Sequence, residues 1–136
     1  MEPLGTAPWP PSRTSVRVPA HPDFVAAIRA MTRAAAVRAD VALDDVEELQ
    51  MALDEAAILL LPLVDEGADA SLHAEFDVEP GCVSAVLSAT CRPGSTVDRT
   101  GLPWAMLSAI DPDADVRWHG DVLGIAVTRR REVPLR

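Results

Sequence analysis

The sequence predicts an α+β domain, a two-layer sandwich with helices on one face of a mixed, mostly antiparallel sheet. Three observations predict it. Residues 44–63 carry the longest run of helical periodicity, with apolar residues at Val46, Leu49, Leu53, Ala56 or Ala57, Leu60 and Val64. Residues 70–78 and 82–90 alternate or are rich in β-formers on either side of Glu79-Pro80-Gly81, a hairpin signal. Taken along the chain, the segments follow the order β-α-α-β-β-α-β-β.

Residues 1–13 form a Pro-rich tail containing Pro3, Pro8, Pro10 and Pro11, expected to be disordered, and residues 14–136 form the domain. Ser15 to Val18 alternates as a short strand ended by Pro19. A helix follows from Pro22 or Asp23 to Arg38, its start marked by a proline and an acidic residue that suit the first turn. Phe24, Ile28, Met31 and Ala35 are its expected core stripe. Arg29 and Arg33, four residues apart, share another face and read either as a solvated basic stripe or as a contact surface for another protein.

The second helix begins with Asp44, Asp45, Glu47 and Glu48 at the positive end of its dipole, and Pro62 stops or kinks it. Asp54-Glu55 interrupts an otherwise apolar stretch. Neighbouring helical side chains point about 100° apart, so the two carboxylates cannot act as a dyad on one substrate. A buried Glu there should face water, a ligand or an arginine such as Arg92 or Arg99. Residues 102–110 repeat the helical spacing with Trp104, Leu107 and Ile110. Residues 115–119 and 122–129 are strands joined at Gly120-Asp121.

Length and charge narrow the function. A chain of 136 residues makes one domain and needs no disulfide or metal to fold. A net charge of −9 and a pI near 4.6 argue against direct nucleic-acid or anionic-membrane binding and fit a basic protein partner. Cys82 and Cys91 are read as free thiols. His21, His73 and His119 have no metal-ligand spacing, so no metal is expected. The chain also lacks GxSxG, Walker A and GxGxxG motifs. It has no membrane-length apolar run and no signal-peptide pattern, and is read as cytoplasmic. The absence of Lys, Asn and Tyr beside abundant Ala, Val, Asp and Arg points to a GC-rich bacterial genome.

The stretch LQMALDEAAILLL, the hairpin, and TGLPWAMLSAIDPDADV together resemble bacterial anti-sigma factors with a histidine-kinase-like ATPase domain, the SpoIIAB/RsbW type, and within it the actinobacterial stress-response branch. The resemblance covers about residues 15–130. It implies a Glu that activates the attacking group, matched by Glu55, and an Asn four residues later that holds the magnesium of Mg-ATP, here Leu59. An Asp-x-Gly-x-Gly motif that reads adenine is replaced by the run Thr90-Cys91-Arg92-Pro93-Gly94. A long phosphate lid is reduced to the short stretch from Arg92 to Thr100. The Ser/Thr-Gly-x-Gly motif survives as Thr100-Gly101 but has Pro103 in place of its last glycine, removing an amide.

The resemblance, with these losses, implies an anti-sigma factor that sequesters an alternative, stress-response sigma factor by contact, without effective ATP hydrolysis. No cofactor is expected, Mg-ATP entering only if the degenerate site still binds. Glu55 is then a vestigial catalytic residue, Thr100 and Gly101 degenerate nucleotide contacts, and Arg29 and Arg33 partner contacts. An anti-anti-sigma factor and a second copy of the chain are further expected partners. Two alternatives stand beside this reading: an active serine kinase acting on an anti-anti-sigma factor, and a structural or dimerisation module.

Overall fold

The computed structural model describes residues 12–67 and 69–131. Pro3, Pro8, Pro10 and Pro11 of the expected tail lie outside the described residues. Five strands and three α-helices follow the expected order: β1 (Arg13–Pro19), α1 (Val25–Arg38), α2 (Leu43–Leu60), β2 (Ser71–Glu79), β3 (Cys82–Thr90), α3 (Leu102–Ile110), β4 (Asp115–His119) and β5 (Val122–Arg130). The sheet runs β1-β2-β3-β5-β4, and every neighbouring pair is antiparallel.

Strand alternation sets the core. Leu72, Ala74, Phe76 and Val78 of β2 are buried, as are Val83, Ala85, Leu87 and Ala89 of β3 and Leu123, Ile125 and Val127 of β5. These side chains point to one face, where α1 and α2 cover them with Ile28, Ala35, Val46, Leu49, Leu53 and Leu60. Each large side chain taken fully from water stabilises the fold by about 1.5–3 kcal/mol. The β2–β3 hairpin turns at Pro80-Gly81, where Gly81 takes φ +74°, a conformation open to glycine at no steric cost.

One expectation of the helices needs correction and one holds. Phe24 does not join the α1 core stripe. It ends a 3-10 turn, Pro22–Phe24, ahead of the helix, and is 43% exposed with its ring edge-on to His21. Pro62 marks the stop of α2, as expected. The α-helix ends at Leu60 and a 3-10 turn, Leu61–Leu63, accommodates the proline at its start.

The arrangement of α2, α3 and β5 depends on Arg129. Its Nε donates to Asp45 Oδ1 at 2.8 Å, its Nη1 to the Ile110 carbonyl at 2.7 Å, and its Nη2 pairs with Glu48. One guanidinium thus joins the acidic first turn of α2 to the last turn of α3. Asp111 extends the joint, accepting from the Thr128 amide at 2.8 Å and the Asp113 amide at 2.9 Å. Asp45 and Asp111 are buried, and these bonds replace the water they lose.

Candidate functional site

Asp54 and Glu55 sit on α2 with different surroundings. Asp54 is engaged by Arg29 of α1, whose Nη2 lies 3.1 and 3.0 Å from its two carboxylate oxygens and whose Nε lies 3.3 Å from Oδ2. The Gln50 side chain donates to the Arg29 carbonyl, adding a second tie between the helices. This pair accounts for the first of the two carboxylates by ordinary helix–helix pairing. Arg33, one turn beyond Arg29, is exposed.

Glu55 is half-buried and makes no hydrogen bond or ion pair among the described residues. Partial burial and the adjacent Asp54 carboxylate push its carboxyl above the ordinary value. Neither arginine expected beside it arrives. Arg92 donates to the Val64 carbonyl at 3.1 Å and the Pro62 carbonyl at 2.8 Å, closing the end of the α2 segment. Arg99 lies 3.9 Å from Asp115 and 5.0 Å from the centre of the Trp104 ring. Leu59, one turn after Glu55, is buried.

The loop before α3 is organised by Asp98. Its Oδ1 accepts from the Thr100 amide at 2.8 Å and the Thr100 hydroxyl at 2.6 Å. Those bonds, with a further one from the Gly101 amide, hold the Asp98 carboxyl below the usual range. A Cβ on Gly101 would stand 3.1 Å from Asp98 Oδ2, so the glycine permits this close approach. The two amides at the start of α3 therefore already face an anion, and it is the chain's own. Both amides precede Leu102, the first residue of α3, so the carboxylate orders the loop that leads into the helix. An Asp two residues before a Thr is a recognisable turn signal, Asp98-Arg99-Thr100, which sequence reasoning passed over.

The residues following β3 are equally committed. The chain continues antiparallel beside Val64 at Cys91, the Cys91 amide donates to the Asp121 carbonyl at 2.8 Å, and the Arg92 amide to the Leu63 carbonyl at 3.0 Å. Burial raises the Cys91 thiol above its ordinary pKa, against smaller lowering effects of a bond from Leu123 and the charge of Arg92. Both cysteines are free and buried.

A cleft of about 370 Å³ lies between the loop before α3 and the β4–β5 edge, lined by Ser95, Val97, Arg99, Val116, Trp118 and Leu123 among others. Trp118 stands 72% exposed at its rim. Glu55, Leu59, Thr100 and Gly101 do not line it. The structure thus brings Thr100 and Gly101 together under Asp98, and leaves Glu55 apart from this cleft. Among the described residues no group of three or more His, Cys, Asp or Glu could hold a metal ion, and no helix is long and apolar enough to cross a membrane.

Of three comparisons with known proteins, the one with solved structures bears on the fold. No family model matches the chain, and no curated protein matches it. Among solved structures, it resembles the RsbU and RsbW domains of Rv1364c from Mycobacterium tuberculosis, at 16% identity and a TM-score of 0.69. The match covers 91% of this chain and 34% of that one, so the chain spans about a third of the length of the protein it resembles. With helices packed on one face of an antiparallel sheet, the chain shares its α+β fold with that structure.

Proposed function

We propose that the chain is a regulatory domain of the anti-sigma type that sequesters a stress-response sigma factor by protein–protein contact, without effective ATP chemistry. The observation that carries this reading is the internal anion at α3, on a fold shared with an RsbW-containing protein. The Thr100 and Gly101 amides, the surviving part of a phosphate-binding motif, are taken by the Asp98 carboxylate. A phosphate arriving there would have to displace a negative charge that is already hydrogen-bonded. Leu59 offers no oxygen to Mg²⁺, a hard cation that binds through oxygen ligands. Phosphoryl transfer depends on charge neutralisation and positioning, and both are lacking at these positions.

Under this reading residues 14–136 form the regulatory domain, preceded by the Pro-rich residues 1–13. A chain of net charge −9 complements a basic, DNA-binding partner and speeds its encounter. An anti-anti-sigma factor competing for the same protein would provide release. Arg29 reaches a partner only at the expense of its Asp54 pair, whereas Arg33 is exposed and the stronger contact residue of the two.

The test is pairwise binding of the purified chain to each sigma factor of its source genome at about 150 mM salt. One sigma factor binding with micromolar or tighter Kd is expected, and binding to none of them refutes the reading. Titration with Mg-ATP by calorimetry is run alongside. The expected result is no saturable heat. Saturable binding with phosphate transfer to an anti-anti-sigma substrate would instead favour the serine-kinase alternative, in which the raised Glu55 carboxyl is the base.

A further inference from the structure

The outer face of α2 carries an apolar stripe inside an acidic border. Leu43, Met51 and Ile58 are 58%, 45% and 53% exposed. At 100° per residue they fall within an arc of roughly 80°, and they repeat every two turns, about 10–12 Å apart along the axis. Asp44, Glu47 and Glu55 lie within or beside the same arc, and no ion pair engages any of them among the described residues. The neighbouring helix α3 adds Leu102 and Met106, also exposed. On the other side Arg29 is held by Asp54 and closes the flank toward α1.

A face of this kind can be covered in three ways, and charge separates them. A second copy using the same face in a two-fold contact would set Asp44, Glu47 and Glu55 against their own equivalents, and like charges repel. An anionic membrane surface is repelled by the same carboxylates. A basic amphipathic helix fits on both counts. Its apolar anchors at i and i+7 match the two-turn repeat of Leu43, Met51 and Ile58, and its Lys or Arg side chains reach the unpaired carboxylates. Glu55 also gains: a cation beside it would favour the charged form that partial burial now disfavours.

We infer that the outer face of α2, with the exposed flank of α3, docks a basic amphipathic helix of a protein partner. This deepens the regulatory reading above and rests on it for the partner's identity, though the surface chemistry can be tested without it.

The probe is a fluorescently labelled 18-residue peptide with Leu at helical i, i+3, i+4, i+7 spacing and Lys and Arg elsewhere. Anisotropy is read at 50 and 300 mM salt against a scrambled peptide of the same composition and a Glu-substituted peptide of the same pattern. Saturable binding of the patterned basic peptide is expected, at least tenfold tighter than either control and weaker at high salt. The Met51→Asp/Ile58→Asp double variant should lose at least tenfold, with far-UV circular dichroism and Tm confirming that it folds. Trp118→Ala, at the far cleft, should bind as the wild type does.

Equal binding of the scrambled peptide, or an undiminished double variant, overturns the inference. So does a wild-type dimer in sedimentation equilibrium that the double variant dissociates, or binding to vesicles of phosphatidylserine and phosphatidylcholine that the double variant abolishes. The two readings fail separately. A sigma factor that binds the wild type and the double variant equally overturns this surface alone. Peptide binding that behaves as described, with no sigma factor bound, overturns the regulatory reading alone.

Discussion

Replacing Arg129 with alanine removes a side chain shared by three elements. The guanidinium bonds Asp45 at 2.8 Å and the Ile110 carbonyl at 2.7 Å, and it pairs with Glu48. Breaking a fully buried ion pair by deleting one partner costs about 3–5 kcal/mol, because the remaining charge is stranded. This pair is less extreme. The Asp45 side chain keeps 13% of its exposure and Glu48 keeps 41%, so water reaches part of what is left. Asp45 also sits in the first turn of α2, where the helix dipole offsets some of the stranded charge. A loss of about 2–3 kcal/mol follows, about 10 °C in Tm for a domain of this size. Urea unfolding of Arg129→Ala, Asp45→Asn and the double variant measures it, with a coupling of about 1–2 kcal/mol between the two sites. A loss below about 0.5 kcal/mol for Arg129→Ala, or strict additivity in the double variant, would refute the claim that this residue joins α2 to α3.

Arg29→Ala should cost only about 0.5–1 kcal/mol, less at high salt, since the Arg29 side chain is 47% and Asp54 32% exposed; denaturation at 0.05 and 0.5 M NaCl checks this. Glu55→Gln should raise Tm at pH 7: a carboxyl raised above its ordinary value near 4.5 contributes stability that is full below that value and lost as pH rises through the raised one. The gain over wild type should therefore vanish below about pH 4, and a constant gain across pH would contradict the cause given. Asp98→Asn should show the opposite sign. Its depressed carboxyl contributes stability present above the ordinary 3.8 and lost as pH falls through the lowered value, so the variant should be less stable at pH 7 and equal to wild type in strong acid. Leu107→Ala, at a fully buried position of α3, should cost about 2–4 kcal/mol in the same assay.

The fold was legible because its signals are local and repeated. The period of α2 named Val46, Leu49, Leu53 and Leu60, and all four are buried. Alternation in β2 placed Leu72, Ala74 and Phe76 on one face, and each is buried there. Phe24 misled because period alone does not reveal that a helix opens with a 3-10 turn, which rotates the residue away from the core stripe. The site was harder to read because its contacts join residues far apart in sequence. Arg29 meets Asp54 across 25 positions and Arg129 meets Asp45 across 84, and no spacing rule connects such pairs. Arg92 was one expected partner of Glu55 and instead closes the α2 segment through two carbonyls. Backbone acceptors leave no mark in sequence, so that choice could not be anticipated.

On the function proposed above, Asp98 and Glu55 are the two residues that turn the elements around α2 from chemistry toward binding. Catalysis on a phosphate needs positive groups and free amides converging on one point. In this chain the amides at α3 converge on an internal carboxylate, while Arg29, Arg92, Arg99 and Arg129 are each committed to a carboxylate or carbonyl elsewhere. These four guanidinium groups are therefore spent on holding the helices and loops in place. Among the described residues no ion pair engages Asp44, Glu47 or Glu55, along the exposed side of α2. A face of this charge would repel an anionic nucleotide and attract the cationic, partly apolar segment inferred above. The direction of charge imbalance along a single helix is thus the physical basis on which we propose a protein partner rather than ATP.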